Sequence, residues 1–325
     1  MKMRNLFLLL SALAVGVMDV HIAHAQSIYP DRAVSLVVPT APGGAWDIMG
    51  RFIAERLAKL TGKTFVVENR AGAGTMIGAQ AVARAAPDGY TLLIAGTATL
   101  ALAPALSKVA SYDPSRDFIP VSLISTHSYT LIGRPGLPAS NLQELIALGK
   151  QGHGLTVATS GRGSGQHVAA LLLAEKTGMQ LTYVPYKGAG EVYPDLMSGR
   201  VDLYFDTTSV AAKQIVAGKV KAFIVSSPER SVLIPAVPTA HEAGLTDFAM
   251  EGWLGVFAPT GVATERLELL RGAIETVKSA PEFKNLVEQA GGRVISLTEG
   301  ERSEFIGKEV REWGTVIRNA GIQPE

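Results

Sequence analysis

The sequence predicts an α/β fold in two domains, each a doubly wound sheet flanked by helices. Three observations carry this expectation. Strand-like and helix-like patterns alternate with short turns. The alternation restarts after about residue 140. At 325 residues the chain is also longer than one hydrophobic core usually supports.

The chain opens with "MKMRNLFLLLSALAVGV", in which Lys2 and Arg4 precede an apolar core of roughly a dozen residues. Ala23-His24-Ala25 then places small residues ahead of Gln26. This is the pattern of a cleaved secretory signal, and residues 1–25 are expected to be one. Asp19 and His21 interrupt the segment before it reaches the roughly 20 apolar residues of a membrane span. "VSLVVP" (34–39) is the first strand. Met49, Ile53, Leu57 and Leu60 then recur three or four apart, the helical period, with Gly62 placed to end the helix. "TFVVEN" (64–69), a glycine loop with a helix, and "YTLLIAGT" (90–97) complete β-α-β-α-β. Downstream, Ser140 with Gln143 reads as a capping box for "NLQELIALGK". "LTVATS" (155–160), "LTYVPY" (181–186), "VDLYFD" (201–206) and "AFIVSS" (222–227) are further strands, separated by helices. The last third holds "WLGVFAP" (253–259), a helix near 264–279, "RVISL" (293–297) as a strand, and a helix begun by Thr298 with Glu301.

Beyond the leader, basic and acidic residues are equal in number, and aromatic residues are few. No basic stripe marks nucleic-acid binding. There is no cysteine, which excludes disulfides and a lipid-anchored cysteine at the processing site. A periplasmic protein, exported, monomeric and not lipid-anchored, is expected.

Open α/β sheets bind ligands beyond the carboxyl ends of their strands. That rule selects loops 39–47, 68–75, 95–99, 159–167, 185–190 and 206–209, which are rich in Gly, Ser and Thr. In "LVVPTAPGGAWDIMG" (36–50) a glycine pair stands between a strand and a helix start, an arrangement that aims backbone N–H groups at an anion. Phosphate-enzyme signatures are missing. "GAGTMIG" (72–78) follows a strand, but the next strand carries no terminal acid for a ribose. Arg162 stands where a nucleophile elbow around Ser164 requires glycine. His127, His153, His167 and His241 lack zinc spacing. No catalytic residue, metal or cofactor is expected.

Several segments together resemble the Bug-type extracytoplasmic solute receptors of tripartite tricarboxylate transporters. They include "VVENRAGAGTMIGAQAVARAAPDGYTLLIAGT", "YDPSRDFIPVSLI", "VPYKGAG" and "SGRVDLYFD", and the likeness runs from about 28 to 323. The resemblance implies a Venus-flytrap periplasmic binding protein, its two lobes joined by crossing strands. Lobe 1 would hold 27–125 plus 250–325, and lobe 2 would hold 126–249. It implies a small carboxylate ligand and a membrane permease as partner. A signalling partner that reads the closed form is the alternative, and an exported enzyme acting on a carboxylate a third.

Carried onto this chain, the resemblance points to Thr40, Gly43, Gly44, Ala45, Trp46 and Asp47 in the first loop. Gly96, Thr97 and Thr99 follow at the third strand. Ser160, Arg162, Gly163, Ser164, His167, Tyr186, Lys187, Asp206 and Thr207 come from the second lobe. The glycines would allow close backbone approach and positive φ; Thr97, Ser160 and Ser164 would add hydroxyl donors. Asp47 reads equally as a helix N-cap, His167 as a loop support, Lys187 as an ion-pair partner, and Asp206 as a ligand acceptor or loop orienter. Glu191, Tyr193 and Asp195 read as ordinary helix surface and interior. The chain departs from the family's habit at Thr40 (commonly Phe), Trp46 (commonly small and polar) and Arg162 (commonly Asn). Trp46 would be core or an aromatic wall. Arg162 would be a solvated charge or the partner of a second carboxylate, as expected of a dicarboxylate, aromatic acids such as terephthalate or phthalate included.

Overall fold

The computed structural model describes residues 29–152, 154–160, 164–186, 189–246, 248, 250–319 and 323–324. The first run of elements is β1 (Val34–Val38), α1 (Ala45–Thr61), β2 (Phe65–Asn69), α2 (Met76–Ala83), β3 (Thr91–Gly96), a π-helical turn (Ala98–Leu102), α3 (Ala103–Leu106) and α4 (Pro114–Asp117). Next come β4 (Phe118–Gly133), α5 (Leu142–Gly149), β5 (Leu155–Thr159), α6 (Gly165–Thr177), β6 (Leu181–Pro185), α7 (Ala189–Ser198), β7 (Leu203–Thr207), α8 (Thr208–Val216) and β8 (Lys221–Val225). The chain ends with β9 (Glu251–Pro259), α9 (Thr264–Lys278), α10 (Pro281–Gln289) and α11 (Glu299–Asn319).

The strands order as β2-β1-β3-β9-β4-β7-β5-β6, with β8 also on β4. β1 pairs in parallel with β2 and β3, and β5 with β6 and β7; β9 and β4 run antiparallel to their neighbours. β4 is the element that makes two lobes from one ladder. Phe118–Ser128 pairs with β9, whereas Tyr129–Gly133 pairs with β7 and β8. The chain returns beside this change: Met250 N–H bonds the Ser226 carbonyl, while Glu251 stands opposite Ser128. We propose on this pairing that the lobes meet at the Ser128/Tyr129 step and at the return before Glu251.

Both faces of each lobe's sheet are buried, which explains the continuous apolar strands. Successive residues point to opposite faces. Leu36, Val38, Leu92 and Ile94 enter a core with α1, α9 and α10, whereas Val37, Leu93 and Ala95 enter one with α2 and α11. In the second lobe Leu203 and Phe205 pack on one side and Tyr204 on the other.

Local signals hold at several helix ends. Gly62 ends α1 at φ 68°, and its N–H bonds the Ala58 carbonyl. Thr298 and Glu301 form the reciprocal box: Glu301 N–H bonds Thr298 Oγ1 at 3.3 Å, and Thr298 N–H bonds Glu301 Oε2 at 2.8 Å. Two expectations are corrected. The cap of α5 is Asn141, whose side chain accepts from Glu144 N–H at 2.9 Å, so the box lies one residue beyond Ser140 and Gln143. "RVISL" is not a strand. Val294 forms one bridge to Ser125 on the edge of β4 opposite β9, flanked by Thr126 N–H to the Arg293 carbonyl and Ile295 N–H to the Ile124 carbonyl, and the pairing extends no further.

α11 packs along β4 and the π turn and reaches α6 of the second lobe. Glu309 anchors it. Its Oε2 accepts from the indoles of Trp253, on β9, at 2.6 Å and Trp313 at 3.0 Å, and burial raises its pKa. Glu309→Ala leaves both indole donors without this acceptor. A loss of about 2 kcal/mol in urea unfolding is expected, with Glu309→Gln closer to wild type.

Candidate functional site

The segments that follow β2 and β3 in one lobe approach the segment that follows β5 in the other. Between them lies a cavity of about 520 Å³. Its first-lobe wall includes Met76, Ala98, Leu102 and Leu106, with Thr75 and Ser107. The second lobe contributes Ser160, Ser164 and Gly165. Among the described residues lining it, none is charged. An apolar wall edged by hydroxyls suits an organic body with oxygen-bearing ends.

The first loop is built around Asp47. Its buried carboxylate accepts from Gly43 N–H at 2.8 Å, Arg51 Nε at 3.0 Å and Asn69 Nδ2 at 2.9 Å. These donors, Arg51 foremost, hold its pKa at about 2. Asp47 is therefore not the N-cap. Gly44 is, with no side chain to cap the helix, so the first amides of α1 keep their anion-binding character. Of the glycine pair only Gly43 needs positive φ (84°). Gly44 sits at φ −76° in an extended conformation, which corrects the expectation for that residue. Ala45 opens the helix and is exposed. Trp46 is half-buried against the α1–α9 core. Its Cζ2 would lie 3.1 Å from a Cβ built on Gly96, and it is not among the cavity-lining residues.

Thr40 offers its carbonyl to Asn69, while its Oγ1 is shielded and has no partner among the described residues. Thr97 Oγ1 accepts from Trp253 N–H at 3.0 Å, which ties the end of β3 to β9. Thr99 is fully buried. Its carbonyl accepts from Tyr112 OH, but its hydroxyl is unpartnered among the described residues.

In the second lobe Ser164 caps α6, accepting from His167 N–H at 3.2 Å. The buried His167 ring meets Tyr183 edge-on at 5.1 Å. Ser160 Oγ lies 2.9 Å from Tyr204 OH. Tyr186 OH donates to Asp195 at 2.9 Å. Asp206 is buried, accepting from Tyr193 OH at 2.7 Å and Thr207 N–H at 2.8 Å; burial pushes its pKa up to about 6. Thr207 precedes α8 without capping it. Arg162, Gly163 and Lys187 lie outside the described residues.

Of the candidates read from the sequence, Ser160 and Ser164 line the cavity. Thr75, Met76, Leu102, Leu106 and Ser107 do so without having been singled out, although loop 68–75 had been selected by the strand-end rule. Tyr193, read as helix interior, bonds the site carboxylate Asp206. Among the described residues no group of His, Asp and Glu could hold a metal, and no helix is long and apolar enough to cross a membrane.

Two α/β lobes sharing crossing strands around a strand-end cavity define a periplasmic binding protein. The model of the tripartite tricarboxylate transporter family receptor matches residues 49–322, and the chain belongs to that family. BugT of Bordetella pertussis is 34% identical over 324 residues, covering 98% of this chain and 99% of BugT. An R. palustris protein solved with adipate superposes with a TM-score of 0.78 at 30% identity, over 91% of this chain and all of that one. MatC from Rhodopseudomonas palustris, with bound malate, gives 0.72 at 32% identity, over 89% of this chain and all of MatC. As a member of a receptor family, the chain is a solute-binding protein rather than an enzyme.

Proposed function

We propose that this receptor binds a small dicarboxylate with an apolar body, aliphatic or aromatic, between its lobes in the periplasm and delivers it to a tripartite tricarboxylate-type permease. The cavity carries the reading: hydroxyls from both lobes edge an apolar wall of alanine, leucine and methionine. One carboxylate meets the first-lobe hydroxyls of Thr75 and Ser107. The other meets the loop of Ser160 and Ser164, where Arg162 pairs with it. Relatives solved with adipate and malate support the chemical class. The family's name supports the partner.

Isothermal titration with adipate, terephthalate, phthalate, citrate and nicotinate tests it. A dicarboxylate with a hydrocarbon body is expected to bind tightest, and at 100 times its Kd it should stabilise the protein by about 2.7 kcal/mol. Arg162→Ala is expected to cost about 2–5 kcal/mol of dicarboxylate binding, the usual loss when one partner of a desolvated charge pair is removed. Binding of monocarboxylates alone would overturn the dicarboxylate reading. Unchanged affinity in the variant would remove Arg162 from it.

A further inference from the structure

Three adjacent parallel strands of the first lobe, β2, β1 and β3, lead into loops that each carry an unsatisfied threonine: Thr75, Thr40 and Thr99. The Oγ1 atoms are shielded from solvent and have no hydrogen-bond partner among the described residues. Only Thr126 Oγ1 and Arg271 Nε share that condition there. Buried polar atoms are nearly always paired, so three orphans along one edge of a sheet need a cause.

Thr75 carries the argument furthest. It ends a run of four residues with positive φ: Gly72 at 132°, Ala73 at 45°, Gly74 at 62° and Thr75 at 81°. A β-branched residue in that region is disfavoured and persists where its surroundings hold it, often at ligand clamps. Threonine directly before a helix normally spends its hydroxyl on capping an amide. Thr75 precedes α2 and makes no such bond. It lines the cavity beside Met76, with Ser160 and Ser164 contributed by the other lobe. The residue is half-buried.

We propose that Thr75 is a specificity-determining contact. Its hydroxyl donates a hydrogen bond to a carboxylate oxygen of the bound acid, with Met76 and Leu102 against the acid's apolar body. The first lobe thus meets the anion with hydroxyls and amides, since no described cavity-lining residue is charged. The proposal rests on the dicarboxylate reading above.

The test is titration of the tightest-binding acid from that panel into Thr75→Val, Thr75→Gly and Thr75→Ser, with the melting temperature of each variant measured first. Valine keeps the shape and the backbone strain without the hydroxyl. Glycine removes the hydroxyl and relieves the strain, so it folds even where valine does not. Both are expected to bind about ten- to a hundredfold more weakly, the range for a hydrogen bond to a charged group. Serine should stay within about threefold of wild type. Wild-type affinity in Thr75→Gly, or equal loss in all three variants, would overturn the proposal. Failure of the wild-type protein to bind any acid of the panel would instead defeat the reading on which it rests.

Discussion

Replacing Gly96 by alanine is expected to destabilise the protein by about 3 kcal/mol, at the upper end of ordinary overpacking. A Cβ there would stand 2.1 Å from the Trp253 carbonyl oxygen and 3.1 Å from Trp46 Cζ2. The first neighbour is backbone, and no rotamer change relieves it. Gly96 pairs with Leu254 in the β3–β9 ladder, so relief requires the two strands to separate. That would also strain the Thr97–Trp253 bond one residue on. For a chain of this size the cost corresponds to a melting temperature lower by about 4–5 °C, read by calorimetry. Gly44→Ala is the control. Its Cβ would meet only the Ala41 carbonyl at 3.7 Å, and its φ is ordinary, so stability should hardly change. A melting temperature for Gly96→Ala within 1 °C of wild type would show that the ladder yields without cost.

Asp206 sets the second large effect, through pH. Burial raises its folded pKa from the ordinary 3.8 to about 6, against the opposing bonds from Tyr193, Thr207 and Tyr204. The folded state then binds the proton more tightly than the unfolded chain does. The stabilisation is complete below about pH 3.8 and is lost as the pH rises through 6. A difference of about two pKa units corresponds to about 3 kcal/mol. Asparagine keeps an acceptor for Tyr193 OH and does not titrate. Wild type minus Asp206→Asn stability, from urea unfolding at pH 4, 5, 6 and 7, is therefore expected to fall by about 2 kcal/mol across that range, the remainder lying below pH 4. Parallel curves for the two proteins would show that Asp206 is solvated well enough to ionise normally.

Much of the fold was legible because strands and helices write periods into the chain. The α1 stripe of Met49, Ile53 and Leu57, the glycine at 62 and the Thr298–Glu301 box are local signals between residues within a turn or two of one another. The strand-end rule located three of the loops that line the cavity, 68–75, 95–99 and 159–167, but not the stretch from Leu102 to Ser107. What was missed depends on distant neighbours. β4, sixteen residues long, has no simple alternation because it is buried on both faces and changes partners midway. "RVISL" has strand composition, but it makes only a single bridge to the edge of β4 opposite β9. The Tyr193–Asp206 bond joins a helix to a strand, and neither residue's local sequence announces the other.

The sequence by itself determined the α/β class, the alternating strands and helices on either side of β4, the loops at the strand ends and the family. Each of these is encoded in local periodicity or contiguous motifs. Only the tertiary structure decided what the residues of "PTAPGGAWD" do. Asp47 clamps the loop against Arg51 and Asn69, Gly44 leaves α1 uncapped, and Trp46 packs into the core. It also decided that Thr75, in a strained turn that reads as an ordinary glycine loop, borders the cavity. A hydroxyl's availability depends on which other groups could have satisfied it, and those groups are assembled only when the chain folds.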